Sequence, residues 1–306
     1  MINFTDVTKV YDKDQIALDQ ISFTIEDSYL TGIVGHNGAG KTTLFMIGNG
    51  LASCSSGEVE INGTKLSKNR RLIQKSTSLF TDKMNLYPLL TVKECLNFFI
   101  RSYGMGSKRY DYICSLFSLK SFENKQISKL STGMLKKVML AVSIVHNPSV
   151  LYLDEPFSGL DPEAKKDFIK VIRSLNTSRT MQIIISSHDL TELESLVDYL
   201  IVLKNGKLIE EMPVLSLMKK YFRKKELIVS LRKLGAEDST IIVGSNGQVI
   251  KPISVDSHEI KYELDSESLQ AFINSIVDYS LIKEIIYKEP SLNELYFKIN
   301  SERGEL

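Results

Sequence analysis

The stretch "GHNGAGKTT", residues 35–43, follows the apolar run "LTGIV", residues 30–34, and decides how the first part of the chain is expected to fold. Three of its first six residues are glycine, which would destabilise a helix or strand interior because glycine loses the most conformational entropy when it is fixed. The stretch fits the pattern G-x-x-x-x-G-K-[ST], with an apolar strand before it and a helical segment after it. The alternative, a glycine-rich turn with a chance lysine, does not account for both flanking elements.

This pattern predicts a loop that cradles phosphate groups. Its glycines allow successive backbone N–H groups to point at phosphate oxygens, and the helix that follows adds the positive end of its dipole. Lys41 is expected to reach the terminal phosphates, Thr42 to ligate Mg²⁺, and Thr43 to add a hydroxyl for an inner phosphate. The remaining residues of the predicted nucleotide-binding loop are Gly35, His36, Asn37, Gly38, Ala39 and Gly40.

A second candidate site lies at the end of "VLYLDEP", residues 150–156, an apolar segment that ends in two acids. At the carboxyl edge of a parallel sheet these acids would face the ligand cleft. Asp154 is expected to hold Mg²⁺ through its water shell, and Glu155 to orient or deprotonate an attacking water molecule. The alternative is a turn made from Asp-Glu-Pro at the end of the strand.

Composition limits the classes of protein to which the chain can belong. It has 306 residues, of which 43% are apolar and 25% charged, so it can form one large domain and a smaller one. The formal net charge of +1 provides no basic surface field, so nucleic acid is not expected as a partner. The three cysteines lack metal-site spacing and are expected to be reduced thiols. The chain shows neither a signal peptide nor an apolar run of about 18 residues, so it is expected to stay in the cytosol without spanning a membrane.

The apolar patterns predict two domains, residues 1–215 and 216–306. The first is expected to combine a β-rich start, a helical part at about residues 83–146, and a strand–helix–strand order that indicates a parallel sheet. The segment "YLIVLKNGKLIEEM" predicts a hairpin with an Asn-Gly type I′ turn. The second domain is expected to be a small α+β unit of short strands, with helices at "SESLQAFINSIVD" and "SLNELYFKI".

Three further segments accompany the glycine loop and the acidic strand: "KLSTGMLKK" at 129–137, "FSGLDP" at 157–162 and "SSHDL" at 186–190. In this order, the five segments closely resemble those of the ATPase subunits of ATP-binding-cassette (ABC) transporters, over about residues 2–215. The resemblance implies an α/β fold of the P-loop NTPase type, with a β-subdomain, a parallel-sheet core and a helical subdomain, followed by the small α+β domain. It also implies ATP and Mg²⁺ as cofactors, with the glycine loop as the Walker A segment.

The resemblance assigns roles within one subunit. Tyr11 corresponds to the aromatic residue that stacks on adenine, which suits a π-face beneath a purine. His188 corresponds to the histidine that contacts the γ-phosphate, so the implied catalytic residues are Glu155, His188 and Lys41. Taken alone, Tyr11 would more often be an ordinary strand tyrosine, and His188 a core or surface histidine.

The resemblance also implies a second ATPase subunit as partner, in a homodimer or with a close relative. In the family, two subunits pair head to tail, and the signature segment of one closes over the ATP held by the other. Here Ser131 and Gly133, at the start of a helix, match the phosphate-facing residues of that segment. Ser158 and Asp161 match the loop that passes between the two sites.

The chain departs from the family pattern at two places. The signature segment reads "LSTGM", so Thr132 and Met134 replace a glycine and a glutamine of the commonest form. Asp82 stands where the family offers a glutamine that joins Mg²⁺ and senses the membrane partner. Its carboxylate could bind the metal but cannot donate a hydrogen bond to water or phosphate, so only the metal-binding part of that role is open to Asp82.

The resemblance implies a peripheral subunit at the cytoplasmic face of the membrane that powers a separate transmembrane permease. The segment "LYPLLTVKECLNFF" resembles the surface that receives a permease helix, and plain core packing is the alternative. The terminal "KEPSLNELYFKI" resembles the ends of exporter ATPases, which favours export of a drug, peptide or lipid-type substrate. Two other functions stay open: a soluble cassette ATPase acting on ribosomes or nucleic acid, and a catalytically weak regulatory subunit.

Overall fold

The computed structural model describes two compact units, Met1–Val214 and Leu215–Leu306. The described residues are 1–12, 15–26, 30–177, 181–222, 225–231, 242–243, 249–250, 252–255, 259–265 and 282–302. Within these ranges, no helix combines the length and the apolar composition that a membrane crossing requires.

The first unit begins with a four-stranded antiparallel sheet in the order β2-β1-β4-β5. Its strands are β1 (Ile2–Tyr11), β2 (Gln15–Ile25), β4 (Ser56–Ile61) and β5 (Thr64–Lys65). In the second half of β2, Ile21, Phe23 and Ile25 are buried, whereas Ser22 and Thr24 between them are exposed. This alternation is expected of an antiparallel sheet that packs one face on a core.

A second sheet of six strands carries the glycine loop and the acids. Its order is β10-β9-β3-β8-β7-β6, and all neighbouring pairs are parallel except β9 with β10. Its strands are β3 (Thr31–Val34), β6 (Thr77–Phe80), β7 (Val150–Asp154), β8 (Gln182–Ser187), β9 (Tyr199–Lys204) and β10 (Lys207–Pro213). Every residue of β3, β7 and β8 is buried, which is typical of a parallel sheet covered on both faces. The predicted parallel-sheet core is confirmed.

The carboxyl ends of three neighbouring strands meet at one edge of this sheet. Strand β3 pairs with β8, and β8 pairs with β7. Strand β3 leads into the glycine loop, β7 ends at Asp154, and β8 ends at Ser187, directly before His188. Parallel pairing thus brings three segments that are distant in sequence to one place.

Helices connect and cover these strands. They are α1 (Lys41–Gly48), α2 (Arg70–Ser76), α3 (Val92–Ser102), α4 (Lys108–Phe117), α5 (Thr132–Ser143), α6 (Pro162–Thr177) and α7 (Leu190–Glu194), with short 3₁₀ helices at Leu119–Phe122 and Ile127–Lys129. Helix α8 (Val214–Tyr221) belongs, except for Val214, to the second unit. Thr91 caps the start of helix α3 and exchanges hydrogen bonds with Glu94 in a capping box. Val92, Leu96 and Ile100 recur at helical spacing on its buried face.

One buried core joins the antiparallel sheet to α1 and to the parallel sheet. Phe45 of α1 packs on Tyr152 of β7 with ring centroids 5.3 Å apart, and both side chains are buried. Val59 of β4 and Ile201 of β9 belong to the same cluster. This packing fixes α1, and with it the preceding glycine loop, against the strand that carries the acids.

The turn between β9 and β10 has the predicted type I′ form, with φ of 50° at Asn205 and 76° at Gly206. The backbone N–H of Gly206 donates to the carbonyl of Ala39 at 3.2 Å. The backbone N–H of Asp19 donates to the carbonyl of Gly206 at 2.8 Å. The hairpin turn therefore touches both the glycine loop and β2.

The second unit contains an antiparallel sheet in the order β14-β15-β11-β16 and a small two-stranded sheet, β12-β13. Its described elements are β11 (Lys225–Leu231), β12 (Ile242–Val243), β13 (Val249–Ile250), β14 (Ser254–Val255), β15 (Glu259–Leu264), β16 (Ile282–Lys288) and a final helix, Leu292–Glu302. The final helix lies at the predicted "SLNELYFKI". The helix predicted at "SESLQAFINSIVD", residues 266–278, lies outside the described residues.

Candidate nucleotide-binding and catalytic site

An open cleft at the carboxyl edge of the parallel sheet collects most of the predicted phosphate-binding residues. Its lining residues are Tyr11, Gln15, Ile16, Ala17, Asn37, Gly38, Ala39, Gly40, Lys41, Thr42, Thr43, Asp154 and Glu155. The fold thus brings together segments from β1, the glycine loop and the end of β7. Gly35 is buried directly after β3, before the part of the loop that lines the cleft.

Gly40 gives the loop its shape. Its φ of 105° lies in a region that favours glycine, and a Cβ added there would lie 2.7 Å from the carbonyl oxygen of Ala17. The carbonyl of Gly40 accepts a hydrogen bond from the backbone N–H of Leu44 at 2.9 Å, which opens α1. The N–H groups of residues 41–43 precede that first helical bond, so they can donate to an anion in the cleft.

Lys41 is buried at the base of the loop, with 6% of its surface exposed. Its Nζ donates to the carbonyl oxygens of Gly35 at 2.7 Å and His36 at 3.3 Å. The same atom lies 3.6 Å from Oε1 of Glu155. A positive charge is thereby held between the glycine loop and the acidic end of β7.

Thr42 and Asp154 form a candidate magnesium site. Thr42 Oγ1 donates to Asp154 Oδ2 at 2.7 Å, and Ser186 Oγ donates to Asp154 Oδ1 at 2.7 Å. Mg²⁺ prefers oxygen ligands, and in phosphate sites it takes one or two protein groups and keeps several waters. One hydroxyl and one carboxylate beside the phosphate loop fit that requirement.

Glu155 and His188 form an acid–imidazole pair at the same edge. Glu155 Oε2 lies 2.7 Å from His188 Nδ1 and accepts a longer bond, 3.4 Å, from the His188 backbone N–H. Glu155 has φ of 47°, an uncommon conformation for a residue with a side chain, and its backbone N–H donates to Ser186 Oγ at 3.1 Å. The carboxylate lies between His188 and Lys41 at the wall of the cleft, where it can orient a water molecule or accept its proton.

Tyr11 lines the cleft from the antiparallel sheet. It is the last residue of β1, pairs with Gln15 of β2, and is 40% exposed. Lys9 Nζ lies 4.9 Å from the centre of its ring. An exposed ring at this position can stack on a planar base, and the adenine contact stays a prediction.

The signature segment lies apart from this cleft. Ser131 caps α5, and its side chain accepts the backbone N–H of Met134 at 3.3 Å. Gly133 lies in the first turn, where an added Cβ would meet the Cβ of Ala164 at 3.1 Å. Neither Ser131 nor Gly133 is among the described residues that line the cleft. Within one chain, the structure does not bring the signature serine to the glycine loop.

Ser158 and Asp161 are exposed in the turn between β7 and α6. Asp161 Oδ1 accepts the backbone N–H groups of Glu163 at 3.0 Å and Ala164 at 2.9 Å, so Asp161 caps α6. Pro162 follows at the first helical position, which suits its missing N–H. Asp161 therefore has a structural role of its own, and its place between two nucleotide sites stays a prediction.

Asp82 is engaged in an ion pair. Its Oδ1 lies 2.8 Å from Nζ of Lys136, and Asp82 is not among the described residues that line the cleft. Coordination of a metal by Asp82 would require this ion pair to break. The geometry thus lends no support to the predicted metal role.

Two contacts of the site were missed by sequence analysis. Ser186 bonds to both Asp154 and the backbone of Glu155, and it is the second-last residue of the apolar strand β8. The sheet-edge argument that selected the acids could have selected this serine as well. His36 Nε2 lies 3.0 Å from Asn205 Oδ1 and ties the loop to the β9–β10 turn, a contact that no local pattern signals.

Comparison with known proteins agrees with this geometry. A family profile described as "ABC transporter" matches residues 18–158. The bacitracin transport ATP-binding protein BcrA of Bacillus licheniformis is 35% identical over 214 residues, which cover 70% of each chain. The Nod factor export ATP-binding protein I of Rhizobium etli is 34% identical, over 69% of this chain and 67% of that protein.

One relative matches along the whole chain. The methionine import ATP-binding protein MetN 2 of Lactiplantibacillus plantarum is 28% identical over 100% of this chain and 94% of its own length. Among solved structures, the dimeric post-hydrolysis state of an ATP-binding cassette bound to ADP and Pi has a TM-score of 0.64 and 25% identity. That match covers 70% of this chain and 99% of the other, so it corresponds to the cassette rather than to the second unit.

Proposed function

The chain belongs to the family of ABC transporter ATP-binding proteins, and we propose that it hydrolyses Mg-ATP at the seam between two cassettes to drive export through a separate transmembrane subunit. The observation that carries the proposal is the position of the Glu155 carboxylate, 2.7 Å from His188 and 3.6 Å from Lys41. It lies beside the Thr42–Asp154 pair at the end of the same strand. The cleft therefore unites a proton acceptor with groups that hold phosphate charge.

The charged and polar groups of the site have separate tasks in the proposed reaction. The N–H groups at the start of α1 and the ammonium of Lys41 hold phosphate oxygens, and Glu155 orients or deprotonates the attacking water. His188 contacts the Glu155 carboxylate, and its exposed ring would contact the terminal phosphate of bound ATP. Magnesium held by Thr42 and Asp154 would neutralise phosphate charge.

Pairing of two cassettes completes this site. Ser131 and Gly133 lie at the exposed start of α5, away from the cleft of their own chain. A helix start offers backbone N–H groups to an anion, so the same segment on a second chain can close over the terminal phosphate. The dimeric cassette bound to ADP and Pi, which has a similar fold, supports this arrangement. We infer a self-pair, because this chain carries both the glycine loop and the signature residues Ser131 and Gly133, which the two sides of such a seam require.

The helical part of the cassette, about residues 83–146, is the proposed contact with the permease. An open groove of about 880 Å³ is lined by residues of and around α3. Tyr87, Leu89 and Phe98 are 52%, 78% and 46% exposed, and the rings of Tyr87 and Phe98 meet edge to face. Exposed apolar side chains beside a groove suit a helix presented by another subunit. This contact would hold the chain at the cytoplasmic face of the membrane.

Export is the proposed direction of transport. The relatives named for bacitracin transport and Nod factor export share 35% and 34% identity over about 70% of this chain, and two methionine import proteins share 32% over 72% of it and 28% over 100% of it. The sequence "KEPSLNELYFKI" at the end of the chain also resembles exporter ATPases. We propose that residues 216–306 form an accessory or regulatory domain, and that the cargo is a drug, peptide or lipid-type molecule.

Inside-out membrane vesicles that hold the chain and its permease should accumulate an exported cargo when Mg-ATP is added outside. Suitable probes are labelled bacitracin and a fluorescent hydrophobic drug, with labelled methionine as the import control. We expect ATP-dependent accumulation of the drug or the peptide, and loss of that accumulation when Glu155→Gln is introduced. ATP-dependent release of methionine from preloaded vesicles, without accumulation of the other probes, would instead show import.

A further inference from the structure

Lys136 is a buried lysine that the proposed reaction does not use. It lies in α5, five residues after the capping Ser131, and only 5% of its surface is exposed. Its Nζ donates to the carbonyl oxygens of Pro156 and Ser158 and lies 2.8 Å from Asp82 Oδ1. A lysine ammonium has three hydrogen-bond donors, so these three acceptors satisfy all of them.

The three acceptors come from two segments that are distant in sequence. Asp82 follows β6, whereas Pro156 and Ser158 flank the turn that comes directly after Glu155. The backbone N–H of Ser158 donates to the carbonyl of Glu155 at 3.2 Å, so the Lys136 contacts close the same turn that holds Glu155 at φ of 47°. The Lys136 ammonium thus connects helix α5 with two other segments. One is the loop after β6 that contains Asp82, called the Asp82 loop below, and the other is the turn that follows Glu155.

We propose that Lys136 is a positioning residue for ATP hydrolysis, which fixes the turn after Glu155 relative to the start of α5 and to the Asp82 loop. A buried ammonium that is fully paired is costly to displace, so its three partners keep fixed relative positions. Displacement of the Asp82 loop would be transmitted through Nζ to the carbonyl of Ser158. The inference rests on the proposed catalytic role of Glu155.

The same contacts account for the acid at position 82. A carboxylate supplies the negative charge that a buried lysine requires, which a glutamine in its place would not. The ion pair engages this carboxylate, and Asp82 is not among the described residues that line the cleft. We therefore expect Asp82 to act on hydrolysis through Lys136 rather than through the metal.

Lys136→Met tests the inference, because it removes the ammonium and keeps most of the aliphatic chain. We expect kcat for ATP to fall about tenfold or more, since small displacements of catalytic groups have large effects on rate. KM for ATP should change less than about twofold, because Lys136 does not line the cleft. Lys137→Met is the matched control: Lys137 is the next residue of α5, pairs with Asp167 at 3.0 Å, and should leave kcat within about twofold.

Asp82→Asn provides a second variant that keeps the size of the side chain and both carbonyl contacts of Lys136. It should lower kcat by less than Lys136→Met, and the double variant should be no slower than Lys136→Met alone, because the two groups act as a unit. If Lys136→Met does not fold, the same kcat and KM comparison is made with Asp82→Asn. Unchanged kcat in the folded variants, or additive losses in the double variant, would overturn the inference.

Glu155→Gln is measured in parallel: if it retains full turnover, the proposed site itself is wrong, whereas its inactivity beside a fully active Lys136→Met contradicts only the role of Lys136.

Discussion

Glu155→Gln is expected to lower ATP turnover by at least about a hundredfold, which is within the range for loss of a general base. The amide has nearly the same shape as the carboxylate but cannot accept a proton from water. ATP binding should persist, because Lys41 keeps its contacts to Gly35 and His36 and loses only a neighbouring negative charge. Steady-state phosphate release, together with a nucleotide titration of the same preparation, measures both quantities.

Glu60→Gln is the matched control for this variant. Glu60 lies in β4 of the antiparallel sheet and is not among the described residues that line the cleft. It should leave turnover and ATP affinity unchanged within about twofold, as is usual for a surface substitution. Full turnover of Glu155→Gln would remove Glu155 from the proposed reaction and would favour a different water-orienting group.

Lys41→Ala is expected to have the largest effect on nucleotide binding. The substitution removes the positive charge between the glycine loop and Glu155, so ATP affinity should fall by about tenfold or more, the equivalent of roughly 1.4 kcal/mol or more. Turnover should fall by about a hundredfold or more, because the same charge stabilises the transferring phosphoryl group. A calorimetric or fluorescence titration with Mg-ATP measures the affinity.

Folding must be separated from binding in this variant. Lys41 Nζ donates to two carbonyl oxygens, and the loss of these bonds should lower the free energy of unfolding by about 1–3 kcal/mol. Thermal unfolding without nucleotide measures that loss. Lys41→Arg keeps the charge but not the compact ammonium, so it should bind ATP more tightly than Lys41→Ala and still turn over slowly. Normal ATP affinity in folded Lys41→Ala would contradict the assigned phosphate contact.

The parts of the fold that depend on local chemistry could be predicted from the sequence. The glycine loop between a strand and a helix, the acids that end β7 and the Asn205-Gly206 turn each require particular residue types at fixed spacing. The Thr91 start of α3 is of the same kind. Each of these features is specified by a few neighbouring residues, so it can be predicted from the sequence of this chain alone.

Contacts between distant segments could not be predicted in this way. Asp82 and Lys136 are separated by two helices and two 3₁₀ helices, and neither residue type indicates the other in the sequence. The contact of His36 with Asn205 depends on the approach of the β9–β10 turn to the glycine loop. Such pairs exist only because the sheet order and the core packing bring the segments together.

Disulfide crosslinking between two chains tests most directly whether ATP is held at a seam between two cassettes. One chain carries Ser131→Cys and the other Asn37→Cys, both with Glu155→Gln to slow turnover and with Cys54→Ser to remove the cysteine that is not buried. The account predicts a covalent heterodimer that forms with Mg-ATP and is absent without nucleotide. A preparation that binds Mg-ATP but yields no crosslink between chains at any nucleotide or protein concentration would contradict it.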